Sequence, residues 1–274
     1  MNWSVFFTRL GSAIIFSAIM MAGLLGSLYN FPWSIWILAY LVQFLCIREF
    51  FKIAALIFPE SHFPKYMESM TQLAGVLVVA AITIWDNSVA IITAIPLVFL
   101  LSGVLNKKTA LGAAFSAITA LAYISLPMAF LVKLWSIHFS IPLALILMIW
   151  MNDTMAYIVG SFIGRTPFSP ISPKKTWEGT AGGAILTIAG AAVWAHYAQV
   201  EGLSSIDWMA LAACAAIAGT AGDLLESKLK RMAGVKDSGN IMPGHGGALD
   251  RFDSLLAALP FAFCYIMLFV VVAQ

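Results

Sequence analysis

The chain has 274 residues, 61% hydrophobic and only 10% charged. A soluble domain carries about 25% charged residues, so a water-soluble globule is excluded. The formal net charge of +2 gives no reason to expect a nucleic-acid partner.

A bilayer core about 30 Å thick needs roughly 20 apolar residues per helix. Nine such stretches follow one another, near residues 10–29, 33–58, 70–85, 88–105, 109–132, 140–163, 182–198, 207–225 and 254–273. They predict an all-α polytopic membrane protein of about nine transmembrane helices in contact with a lipid bilayer. The second stretch runs into Arg48, Glu49 and Lys52 and the third is short, which leaves eight or ten spans as alternatives. The loops between nine spans divide the Lys and Arg residues unevenly, with 14 of 15 on one side and Lys133 alone on the other. Cytoplasmic loops retain positive charge, so the amino terminus is expected in the cytosol and the carboxyl terminus outside. Residues 1–274 read as a single membrane domain, with scaffold spans over 1–140 and a catalytic core over 141–274 that carries two long cytoplasmic loops, 164–181 and 226–253. Cys46, Cys214 and Cys264 fall in apolar stretches at spacings suited to neither disulfide nor metal, and read as small core residues.

The sixth span holds Asp153, and an ionisable residue within a span is costly enough to be a functional candidate by default. Gly160 and Gly164 form a GxxxG spacing in the same span, and the seventh and eighth spans are also rich in Gly and Ala, the pattern of closely packed membrane helices. The loop between the sixth and seventh spans contains Ser172, Lys174, Lys175, Thr176 and Glu178. Adjacent lysines flanked by hydroxyls suit a polyphosphate, although without the neighbouring loop a positive-inside anchor ahead of the seventh helix is the default reading.

If the eighth helix continues past Gly222, then Asp223, Glu226, Ser227, Lys230 and Arg231 share one helical face. A solvated helix end with ordinary ion pairs remains the alternative. Lys236, Asp237 and the glycine-rich run Pro243-Gly244-His245-Gly246-Gly247 follow, and such a run can bring backbone N–H groups to phosphate oxygens. Asp250, Arg251 and Asp253 close the segment, where Asp253 can also serve as the N-cap of the last helix. From 223 to 253 there are five basic and five acidic residues. Equal numbers fit carboxylates holding a divalent cation while Lys and Arg hold the phosphates it bridges. Oxygen ligands favour Mg²⁺ over zinc.

The pattern Ser227-x-x-Lys230-Arg231-x4-Lys236-Asp237-x-Gly239-x3-Pro243-x-His245-Gly246-Gly247-x2-Asp250-Arg251-x-Asp253 resembles that of the phosphatidate cytidylyltransferases, or CDP-diacylglycerol synthases. The segment 172–179 resembles a second block of that family. Met242 and Ala248 depart from the family pattern, which has Leu, Ile or Phe at the first position and a larger aliphatic at the second. The resemblance implies a nucleotidyltransferase of the inner, cytoplasmic membrane that uses CTP and phosphatidic acid, with Mg²⁺, a second cation as an open option, and a homodimer. On this reading Asp223, Asp250 and Asp253 hold the metal. Lys230, Arg231, Lys236 and Arg251 grip phosphates, Lys174 and Lys175 reach the CTP tail, and Gly246 and Gly247 admit the substrate. His245 orients a phosphate or moves a proton, and Asp237, Ser172, Thr176, Glu178, Ser227 and Asp153 complete the expected site. The alternatives are another CTP-dependent lipid-phosphate or polyprenol enzyme and, from a different class, a transporter.

Overall fold

The computed structural model describes residues 3–61, 63–84, 88–105, 111–242 and 246–271. Its long elements are helices: α1 Trp3–Leu25, α2 Ser34–Ile57, α3 Lys65–Ile84, α4 Ser88–Leu105, α5 Leu111–Ala120, α6 Leu126–Ile137, α7 Ser140–Ile163, α8 Trp177–Ala198, α9 Ser205–Met232 and α10 Leu249–Tyr265. A π-helical turn, Leu121–Ser125, joins α5 to α6 in one rod, and another, Ile266–Val271, extends α10. Among the described residues, seven helical rods are long and apolar enough to cross a membrane. Two shorter apolar helices, Leu10–Leu25 and Val89–Leu105, lie where the first and fourth spans were expected. Large apolar side chains stay exposed along the helices, Phe162 at 84% and Tyr197 at 78%, as expected of surfaces that meet lipid.

The chain falls into two compact units, Met1–Lys133 with Leu229–Phe252, and Leu134–Lys228 with Asp253–Gln274. In the first, Gly23 lies against Leu38, and the Ser34 hydroxyl donates to the Gly23 carbonyl at 2.8 Å, which ties α1 to the start of α2. Gln72 donates to the Phe44 carbonyl at 2.9 Å and so links α3 to α2.

In the second unit α7 and α8 are packed through small residues. Gly179 approaches the Ala156 carbonyl and Gly160, and Gly183 approaches Asn152 and Ala156. This contact uses Gly160 of the GxxxG pair and makes the seventh-span glycines its other face. A Cβ on Gly183 would sit 2.9 Å from the Asn152 carbonyl oxygen, which the backbone cannot move aside. Gly183→Ala is therefore expected to cost about 1–3 kcal/mol, read as a lower melting temperature in detergent. At Gly190 the obstructing atoms are the flexible end of Met151, so Gly190→Ala should be tolerated better.

The loop before α8 is not wholly irregular. β1 (Pro167–Ser169) pairs antiparallel with β2 (Ser172–Thr176), with Phe168 packed edge-on to Trp177 at 4.5 Å. Thr176 is the N-cap of α8, its Oγ1 accepting the Gly179 N–H at 3.1 Å.

Candidate functional site

α9 runs unbroken through Gly222 to Met232, so the shared face expected of Asp223, Glu226, Ser227, Lys230 and Arg231 rests on a real helix. Two clusters arise from it, one in each unit.

In the second unit Asp223, Glu226 and Asp253 bring one carboxylate oxygen each to within 4.8 Å of one another. Glu226 is fully buried and Asp253 is 8% exposed. Their closeness depends on Gly222: a Cβ there would strike the Ala257 methyl and the Asp253 carbonyl oxygen, so only glycine lets α9 approach this part of α10. Asp253 accepts the Ser254 N–H at 2.6 Å, while Asp223 takes an ion pair from Lys175 and stands 3.5 Å from the Ser227 hydroxyl. Crowding three carboxylates with two of them buried is expensive unless positive charge compensates. Lys175 pairs with Asp223, and a divalent cation held by the trio would supply further positive charge. The oxygen-only donors fit a hard cation such as Mg²⁺, and a cation bound there would neutralise phosphate oxygens brought beside it.

Lys174 and Lys175 are placed differently. Successive residues of a strand point to opposite faces. Lys174 is exposed on β2, whereas Lys175 is half-buried against Asp223. Ser172 opens the same strand. Glu178 secures the loop instead of facing open space. Its carboxylate accepts the N–H of Arg165 at 3.1 Å, the N–H of Thr166 at 3.1 Å and the hydroxyl of Thr166 at 2.8 Å. Asp153 is exposed on α7 beside buried Asn152.

The first unit holds the glycine-rich loop and the start of α10. Lys230 donates to Asp250 Oδ1 at 2.5 Å, with the two side chains 12% and 4% exposed. Asp250 Oδ2 accepts the Ser238 N–H at 2.9 Å, the Gly247 N–H at 2.7 Å and lies 3.0 Å from the Ser238 hydroxyl. Asp250, expected among the metal ligands, is thus engaged with a lysine and the loop backbone. The carboxylates that converge are Asp223, Glu226 and Asp253. Arg231 donates to the Val235 carbonyl at 3.1 Å, and Lys236, Asp237 and Arg251 are exposed. Gly246 has φ +87°, the left-handed region that favours glycine, and bridges back to Met242. His245 lies outside the described residues, with Pro243 and Gly244.

Sequence reasoning missed two members. Glu226 was placed on the right helical face, and its spacing of three from Asp223 was the available signal. Glu49 of α2 had none. It is 1% exposed, and it accepts the N–H groups of Ala248 at 3.1 Å and Leu249 at 2.8 Å and the Ser238 hydroxyl at 2.7 Å.

Long apolar helices, with a carboxylate trio of which two members are buried and the third is paired with a lysine, are the features of a polytopic membrane protein with oxygen donors suited to a divalent cation. Comparison with known proteins narrows the class: the chain belongs to the cytidylyltransferase family, whose profile matches residues 11–269. It is 45% identical over 122 residues to a phosphatidate cytidylyltransferase of Bacillus subtilis, covering 44% of this chain and 45% of that one. With the Haemophilus influenzae phosphatidate cytidylyltransferase it shares 41% identity over 128 residues, 45% and 44% of the respective chains. For the Staphylococcus saprophyticus protein of the same name the figures are 37% over 183 residues, 64% and 69%. The match thus spans about half the length of the first two relatives and over two thirds of the third.

Proposed function

We propose that this protein transfers the cytidylyl group of CTP to phosphatidic acid, forming CDP-diacylglycerol and releasing pyrophosphate. The observation that carries the reading is the trio Asp223, Glu226 and Asp253 with Lys175 on Asp223, in a chain whose relatives bear the name phosphatidate cytidylyltransferase. The phosphate oxygen of phosphatidic acid is anionic near neutral pH, so its attack on the α-phosphorus of CTP needs little base catalysis. The obstacle is the meeting of two anions, and the protein's task is positioning and charge neutralisation.

In this proposal the trio holds Mg²⁺, and Lys175 exchanges its contact with Asp223 for phosphate oxygens as substrate arrives. Lys230, Arg231, Lys236 and Arg251 bind phosphates, with Asp250 fixing Lys230. Both clusters are drawn from the segment 223–253, and the proposal assigns them to one reaction. The uneven division of Lys and Arg supports an inner-membrane protein with its amino terminus and site on the cytoplasmic side. The proposal includes a homodimer, as the family resemblance implies.

The test is to offer labelled CTP and a panel of lipid phosphates to the purified protein, with and without Mg²⁺. Mg²⁺-dependent incorporation into phosphatidic acid in preference to polyprenyl phosphate is the expected result. Incorporation into another lipid phosphate alone would reassign the substrate, and no incorporation into any lipid would end the proposal.

A further inference from the structure

We infer that Glu49 is a positioning residue for the transfer reaction, acting from α2 through Ser238 and the first turn of α10 on Asp250 and Lys230. This inference rests on the cytidylyl-transfer reading.

The backbone N–H groups at the start of a helix have no partner within it and attract anions. At α10 the N–H groups of Ala248 and Leu249 both go to the Glu49 carboxylate. The two N–H groups contributed by Ser238 and Gly247 go to Asp250. A glycine-rich loop that looks in sequence like a cradle for substrate phosphate therefore gives these four donors to the protein's own carboxylates. Its glycines serve the same end. A Cβ on Gly239 or Gly247 would collide with the Glu49 carboxylate, and one on Gly247 would also strike the Ser238 hydroxyl.

Ser238 couples the two acids. Its hydroxyl lies 2.7 Å from Glu49 Oε2 and 3.0 Å from Asp250 Oδ2, and its single proton serves one acceptor at a time. Glu49 thus fixes Ser238 and the helix start, these fix Asp250, and Asp250 holds the Lys230 ammonium at 2.5 Å. The loop is a platform that aims a lysine, and its keystone lies in the scaffold half of the sequence. Phosphoryl transfer is sensitive to such aim, with displacements of about 1 Å costing on the order of a hundredfold in rate.

The test uses the full chain in detergent or nanodiscs, with rates normalised to the monodisperse folded fraction. Glu49→Gln keeps the shape but loses the charge that binds two helix N–H groups, and Ser238→Ala removes the coupling hydroxyl. For each, kcat should fall about 10- to 100-fold while KM for CTP and for phosphatidic acid changes less than about threefold. The double variant should be little worse than the poorer single one, because both act along one chain of contacts. Normal kcat per folded protein in Glu49→Gln would overturn the inference, as would a loss confined to KM or full multiplication of the two single effects. A wild-type protein that transfers no cytidylyl group would instead defeat the underlying reading.

Discussion

Glu226→Gln is expected to lower the rate of cytidylyl transfer about a hundred- to a thousandfold, with part of the loss recovered at high Mg²⁺. The side chain is fully buried and within 4.8 Å of the Asp223 and Asp253 oxygens. The amide preserves its volume and removes one negative charge from the set that would hold the cation. Stability should respond in the opposite direction. Close carboxylates repel one another, so neutralising one relieves the metal-free protein, and its melting temperature should match or exceed that of the wild type. The rise in melting temperature on adding Mg²⁺, a measure of binding to the folded state, should shrink or vanish. Asp253→Asn is expected to behave similarly in rate. A Glu226→Gln protein with wild-type activity and an undiminished Mg²⁺ shift would remove the trio from consideration as a metal site.

Lys230→Met has the second largest expected effect, and here rate and stability should fall together. Lys230 and Asp250 form an ion pair with side chains only 12% and 4% exposed. Removing one partner of a buried pair costs about 3–5 kcal/mol, because the remaining charge has been taken out of water. The backbone donors Ser238 and Gly247 still reach Asp250 and should hold the loss near the lower end of that range. Activity should drop by about two orders of magnitude if this ammonium also meets a substrate phosphate. Lys230→Arg, which keeps the charge, should recover most of the stability but less of the rate, since the guanidinium cannot occupy the same point. Thermal unfolding in detergent and initial rates on the same preparations would separate the two effects.

The helical framework was legible because a membrane span announces itself by length and apolarity alone. The expected places correspond to the helical rods, including the continuation of α9 past Gly222. The packing of α7 on α8 was legible for a similar reason, since glycines at helical spacing have few other uses in a span. The hairpin of β1 and β2 was not. Its strands are three and five residues long, contain Pro167 and Pro173, and carry no apolar alternation. With it went the separation of Lys174 from Lys175, which follows from the strand and not from the residue types.

Within the site, sequence spacing found the residues of 223–253 but could not sort them. Asp250 and Asp253 are equivalent as letters. Only the tertiary structure gives the first a lysine and a loop backbone and the second two neighbouring carboxylates. Glu49 was beyond reach for a plainer reason: its hydrogen bonds join residues 189 to 200 positions apart, and a glutamate flanked by Arg48 and Lys52 looks like ordinary charge interrupting an apolar stretch.

The central claim, cytidylyl transfer, is tested most directly by following the two ends of the triphosphate. Purified protein is given phosphatidic acid, Mg²⁺ and CTP labelled either at the α-phosphorus or at the γ-phosphorus. The α label is expected to enter the lipid while the γ label leaves entirely as pyrophosphate, in equal amounts. A lipid product that carries the γ label would mark a CTP-dependent kinase and contradict it.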